Sequence, residues 1–130
     1  MNITVIGCGR WGTFIAWYLD SIGHNVKLYG KSNAPQMQEL LQTRKNNLIS
    51  LSDSMTLTTS LDDALSDAET IIVSIGSQAL RGLLEEIKPY EIKNQTFVLC
   101  MKGIETGTGR RLSEIAEENL DPSCRVAVWI

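Results

Sequence analysis

The stretch Ile3-Thr4-Val5-Ile6-Gly7-Cys8-Gly9-Arg10-Trp11-Gly12-Thr13-Phe14-Ile15-Ala16-Trp17-Tyr18-Leu19 decides the fold. An apolar run leads into three glycines within six residues and then into a helical segment. This is the order of strand, turn and helix that a dinucleotide-binding domain requires. Gly7 permits the tight turn, Gly9 lets a pyrophosphate approach the backbone, and Gly12 lets the helix lie close to the strand. The helix N-terminus then offers unpaired N–H groups and a partial positive charge to the phosphates. Three glycines alone occur in many ordinary turns, so the rest of the chain must supply the context.

The chain has 130 residues, of which 43% are hydrophobic, which gives residues 1–130 room for one domain with a real core. A net charge of −3 with scattered cations leaves no basic footprint, so no nucleic-acid partner is expected. No apolar run is long enough to cross a bilayer, and the apolar N-terminus begins at Ile3 without a charged leader. The expectation is a cytoplasmic protein with no membrane partner. Cys8, Cys100 and Cys124 are odd in number and widely spaced, with neither metal-ligand spacing nor a disulfide framework. They read as reduced thiols in a packed interior, and no metal is expected.

Strand-like and helical patterns alternate along the whole chain. A turn at Ile22-Gly23-His24-Asn25 leads to a second strand, Val26-Lys27-Leu28-Tyr29. Pro35 can open a helix carrying Met37, Leu40 and Leu41, and the polar stretch at 43–47 reads as loop. Met55-Thr56-Leu57-Thr58 alternates as a third strand, followed by a short helix with Asp62 and Asp63 in its first turn, where negative charge suits the dipole. Thr70-Ile71-Ile72-Val73-Ser74-Ile75 is a nearly continuous apolar fourth strand, as burial on both faces demands. Ser77 is expected to cap the next helix, whose apolar face is Leu80, Leu83, Leu84 and Ile87 and whose end is marked by Pro89. Thr96-Phe97-Val98-Leu99-Cys100 reads as the fifth strand, Leu112, Ile115 and Ala116 line a further helix, and residues 125–130 form the sixth strand. The fold class that follows is α/β, a Rossmann doubly wound parallel sheet with helices on both faces and strand order 3-2-1-4-5-6.

Ligands of such sheets bind beyond the carboxyl ends of the strands, at the switch point between strands one and four. That edge carries the glycine turn, Gly30-Lys31-Ser32, Gly76-Ser77-Gln78 and Met101-Lys102-Gly103. His24, the single histidine, falls on the opposite edge and is not expected to act in catalysis. Arg10 and Trp11 occupy the variable positions of the turn. Arg10 contacts a phosphate or the adenine side, or is a solvated arginine; Trp11 lies beside the cofactor or packs on the helix or a neighbouring loop. An acidic residue at the end of strand two would hold the ribose 2′-hydroxyl of NAD, but Lys31 and Ser32 stand there instead. A cation and a hydroxyl suit a 2′-phosphate, which favours NADP over NAD as cofactor. Lys102 can hold an anionic substrate or the cofactor, pair with Glu105, or simply be solvated.

These segments together resemble the N-terminal domain of bacterial-type NAD(P)-dependent glycerol-3-phosphate dehydrogenase. The resemblance rests on Ile6-Gly7-Cys8-Gly9-Arg10-Trp11-Gly12-Thr13, Val26-Lys27-Leu28-Tyr29-Gly30-Lys31, Ser77-Gln78-Ala79-Leu80-Arg81 and Lys102-Gly103-Ile104-Glu105, and it extends over nearly the whole chain. It implies an oxidoreductase that interconverts dihydroxyacetone phosphate and sn-glycerol 3-phosphate, a reaction that feeds phospholipid biosynthesis. Carried over by position, its glycine-turn contacts fall on Arg10 and Trp11, those at the end of strand two on Lys31 and Ser32, and its lysine touching both cofactor and phosphorylated substrate on Lys102; Gly7, Gly9 and Gly12 are cofactor-binding by the reading of the turn itself. The family's general base belongs to a helical substrate domain outside this chain, so no catalytic residue is assigned and no turnover is expected from these residues alone. The sequence departs from the pattern at Arg10, where serine is usual, at Gly76, where proline is usual, and in the loop before Met55, which lacks a Tyr-Leu-Pro segment. Two other readings stay open: a regulatory nucleotide-binding module of a channel or transporter, and a dehydrogenase of related architecture with another substrate. An apolar strand at the end of the chain also favours self-association into a homo-oligomer.

Overall fold

A computed structural model describes residues 1–129. The elements run β1 (Asn2–Ile6), α1 (Arg10–Ser21), β2 (Asn25–Tyr29), α2 (Pro35–Thr43), β3 (Thr56–Thr58), α3 (Leu61–Leu65), β4 (Thr70–Val73), α4 (Leu80–Ile87), β5 (Thr96–Leu99), α5 (Leu112–Asn119) and β6 (Arg125–Val128). They form one parallel sheet of order β3-β2-β1-β4-β5-β6, the doubly wound arrangement anticipated above. Ile6 is level with Tyr29 on one side and Val73 on the other. The turns after β1, β2 and β4 therefore leave the sheet side by side, and this register creates the site.

Alternate residues of the strands feed two cores on opposite faces, as the period of two dictates. Ile6, Ile71, Val73, Phe97 and Leu99 pack with Leu80, Leu83, Leu84 and Ile87 of α4 and with Leu112, Ile115 and Ala116 of α5. Ile3, Val5, Val26, Leu28 and Ile72 pack with Ile15 and Ala16 of α1 and with Met37 and Leu40 of α2. The buried Thr4 hydroxyl donates to the Ala64 carbonyl, which ties the sheet to α3 without leaving a polar atom unpaired. Ser60 caps α3 by accepting from the Asp63 N–H, and Asp62 and Asp63 occupy its first turn as expected.

Several strand ends and one cap differ from the sequence reading: β3 starts at Thr56 rather than Met55, and β6 ends at Val128, before Trp129. β4 ends at Val73 rather than Ile75. The Ser74 N–H still donates to Ile6, but the Gly7 N–H donates to Tyr29, so the chains on either side of the switch point diverge there. β5 likewise ends at Leu99, one residue before Cys100. Ser77 does not cap α4: a tight 3₁₀ turn over Ser77–Ala79 precedes that helix, and the Ser77 hydroxyl accepts instead from the Gln78 amide. Of the residues assigned to the sixth strand, Ile130 lies outside the described residues.

Phe97 lies on β5, between β4 and the edge strand β6, with no exposed surface. Phe97→Ala is expected to destabilise the domain by about 3–5 kcal/mol, measured by urea denaturation.

Candidate nucleotide-binding site

A cleft of about 690 Å³ opens at the switch point, between the glycine turn, the end of β2 and the segment running from the end of β4 into α4. Its floor is built from positions that tolerate no side chain. Gly7 has φ +121°, and a Cβ there would lie 1.9 Å from the Ser74 carbonyl oxygen. A Cβ on Gly12 would lie 2.1 Å from the Gly7 carbonyl oxygen, so the first turn of α1 rests directly on the turn that precedes it. Gly9 differs, because a Cβ there would meet no protein atom within 4 Å. The space above Gly9 is open at the N-terminus of α1, where first-turn N–H groups lack intrahelical partners. Two glycines forced by packing and one that leaves room are what an approaching pyrophosphate needs. The Thr13 hydroxyl donates to the Cys8 carbonyl in the interior, which locks turn to helix.

Gly7, Gly9, Arg10, Trp11, Gly12 and Lys31 all line this cleft. Arg10 and Lys31 are exposed cations without an ion-pair partner among the described residues. Ser32 is not in the lining; its carbonyl accepts from the Gln38 amide at the start of α2. Trp11 is half exposed, stacked on Phe14 with ring centroids 5.6 Å apart and tilted against Trp129 at 6.2 Å. Cys8 is a buried thiol whose pKa is pushed up by burial, so it is inert packing beneath the site. Asn33, Ala79, Gly82 and Glu86 also line the cleft and were missed by the sequence reading. Glu86 lies on the polar side of an amphipathic helix, where only the register of α4 against the sheet shows that it faces a cavity.

Lys102 lies apart from that cleft, in a neighbouring depression of about 430 Å³ lined also by Met101, Gly103, Arg111 and Ser113. It does not pair with Glu105. Instead Arg81 on α4 makes a two-pronged contact with Glu105, at 2.8 and 2.9 Å, and Thr108 donates to the same carboxylate. Gln78 adds a second bridge, donating to the Ile104 carbonyl and accepting from the Thr106 N–H. The two segments Ser77-Gln78-Ala79-Leu80-Arg81 and Lys102-Gly103-Ile104-Glu105 are therefore one structural unit. It fixes the loop that carries Lys102 and leaves that ammonium without an ion-pair partner among the described residues.

The sequence pattern of the family described as NAD-dependent glycerol-3-phosphate dehydrogenase N-terminus matches residues 2–129. The chain belongs to that family. It is 36% identical over 127 residues to the glycerol-3-phosphate dehydrogenase [NAD(P)+] of Bacillus mycoides, covering 94% of this chain and 37% of that protein. A glycerol-3-phosphate dehydrogenase from Coxiella burnetii superposes with a TM-score of 0.86 at 22% identity, over 98% of this chain and 39% of the other. One from Saccharomyces cerevisiae gives 0.77 at 25% identity, over 97% and 41%. The chain thus spans little more than a third of the length of such relatives, namely the nucleotide-binding part of an NAD(P)-dependent family. This membership sets aside the regulatory-module reading.

Within the glycerol-3-phosphate dehydrogenase family, the departure at position 76 is conformationally silent. Gly76 has φ −59° and ψ 136°, values that proline adopts, and a Cβ there would meet nothing within 4 Å. Gly76→Pro is expected to raise stability by about 0.4–1 kcal/mol through a less flexible unfolded chain, read from the shift in denaturation midpoint.

The Arg81 contact, followed by that of Thr108, holds the Glu105 pKa down to about 2, well below its ordinary value of 4.5. A carboxylate with a depressed folded-state pKa contributes its full stabilisation above its unfolded pKa and loses it as pH falls through the folded one. Stability should therefore fall between about pH 4.5 and pH 2, and Glu105→Gln should flatten that limb in denaturation midpoints recorded across the range.

Proposed function

We propose that the intact protein is an oxidoreductase interconverting dihydroxyacetone phosphate and sn-glycerol 3-phosphate, and that this chain holds the NAD(P)(H). The observation that carries the reading is the glycine cradle: a Cβ on Gly7 or Gly12 would lie only 1.9 or 2.1 Å from a backbone carbonyl oxygen, and Gly9 opens on free space. When bound, the nicotinamide would supply or accept the hydride. The chain's own part is to bind and orient. First-turn N–H groups of α1 face the pyrophosphate, the glycine turn positions Arg10 and Trp11 beside it, and Lys31 meets the ribose end.

Lys102 is the residue proposed to meet the phosphorylated substrate and the reacting end of the cofactor. Its support is the exposed ammonium at the end of β5, on a loop anchored by the Arg81–Glu105 pair. No residue of this chain is proposed as the proton donor, because His24 lies in the turn between α1 and β2, at the opposite edge of the sheet. Residues 1–130 are proposed as one nucleotide-binding domain that binds cofactor without turnover. Three free thiols fit a cytoplasmic setting, and the product would serve glycerophospholipid synthesis. The exposed Trp11, Phe14, Val128 and Trp129 supply apolar surface that supports self-association.

Calorimetric titration with NADPH and NADH tests the reading, and absence of binding to both would overturn it. NADPH is expected to bind more tightly. Lys31→Ala should weaken NADPH by about tenfold while leaving NADH nearly unchanged, the loss of one charge-assisted hydrogen bond to a 2′-phosphate.

A further inference from the structure

We propose that Gly82 and Glu86 on α4 form a recognition site for the adenine base, with the Glu86 carboxylate accepting a hydrogen bond from the exocyclic amine. The inference rests on the reading of the cleft as a dinucleotide site and adds to it which base the site selects and how.

Gly82 lies inside α4 (Leu80–Ile87), where glycine is the poorest residue apart from proline. Nothing in the fold demands it. It has no positive φ, and a Cβ built on it would meet no protein atom within 4 Å. Packing therefore does not explain this glycine, whereas Gly7 and Gly12 are forced by backbone contacts. Gly82 does line the cleft, so its missing side chain widens the slot between α4 and the segment after β2.

Position in the cleft says which part of a ligand the slot receives. The glycine turn takes the pyrophosphate and the end of β2 takes the adjoining ribose. A base attached to that ribose must lie farther along, between Lys31, Asn33 and Ala34 on one side and Ala79, Gly82 and Leu83 on the other. A flat ring fits where a helix presents only a backbone.

Glu86 stands one helical turn beyond Gly82 on the same face. It is the single carboxylate among the residues lining the cleft, and it has no ion pair or hydrogen bond among the described residues. Its charge reaches the end of β2: the buried Tyr29 phenol has a raised pKa, first from burial and then from Glu86 and Tyr90. An ionised carboxylate offers acceptors only, so it pairs with an amine at the edge of a purine and faces a carbonyl there unfavourably. Adenine carries that amine. Hypoxanthine carries a carbonyl in its place.

The test compares NADH with its hypoxanthine counterpart by calorimetry on the intact protein and on the variants Glu86→Gln and Gly82→Leu. The unmodified protein should prefer the adenine form by about ten- to a hundredfold, the range of a hydrogen bond to a charged group. Glu86→Gln, which can donate as well as accept, should bring the two ligands within a few-fold of each other. Gly82→Leu should raise the thermal midpoint through better helix propensity while weakening NADH by at least about tenfold, as its side chain occupies the slot. Equal affinity of the unmodified protein for both ligands overturns the proposal, as does Gly82→Leu binding NADH undiminished. An equal loss for both ligands in Glu86→Gln also overturns it, since that result places the carboxylate on the ribose. In all three cases the cofactor reading stands. Failure of the unmodified protein to bind NADH, NADPH or the hypoxanthine form overturns both.

Discussion

Between the first turn of α1, the glycine turn and the end of β4 there is no room for a methyl group. The Gly12 Cα is pressed against the Gly7 carbonyl, and Gly7 against the Ser74 carbonyl. Every other feature of the site depends on this three-way contact. It sets how far α1 advances toward the sheet edge, and so where its unpaired N–H groups point. It also fixes the spread between β1 and β4, because Ser74 donates to Ile6 at the last rung before the chains part. A substitution at either glycine would move the helix dipole and the cleft floor together, since interiors at this density do not deform continuously.

The second constraint lies on the other side of the cleft and is electrostatic. The loop beyond β5 carries Lys102 and is held by polar contacts rather than by apolar burial of its own, since residues 102–104 are exposed. Arg81 of α4 and Gln78 of the 3₁₀ turn before it hold the loop. Because α4 also lines the main cleft, one helix connects the cleft wall to the loop that carries Lys102.

The sheet order was legible because it follows from local pattern plus one chirality rule. Continuous apolar strands such as residues 70–73 identify a parallel sheet, and right-handed crossovers leave few ways to order it. The glycine turn was legible for the same reason, since its spacing reflects backbone geometry that only those positions satisfy. Strand ends were read too long at Ile75 and Cys100 because apolar character continues past the point where the ladder opens. The role given to Ser77 failed because capping depends on where the helix starts, and the 3₁₀ turn shifts that start to Leu80.

The side chains around the cleft were legible only in part, and the pattern of success has a physical cause. Lys31 follows β2 and Arg10 opens α1 directly after the glycine turn, positions that chain order alone puts at the carboxyl edge of the sheet. Glu86 and Gly82 sit on a helix whose hydrophobic stripe, Leu80, Leu83, Leu84 and Ile87, specifies which face meets the core and says nothing about what the flank of that face meets. Whether such a flank looks onto solvent or onto a cavity depends on the depth of the sheet edge beside it. Glu105 shows the same limit in the opposite direction: proximity in sequence suggested Lys102 as its partner, but a lysine three residues away on an extended loop loses to an arginine whose planar fork is already held by a helix. Preorganisation of the donor, rather than nearness along the chain, decided which cation was neutralised and which was left available.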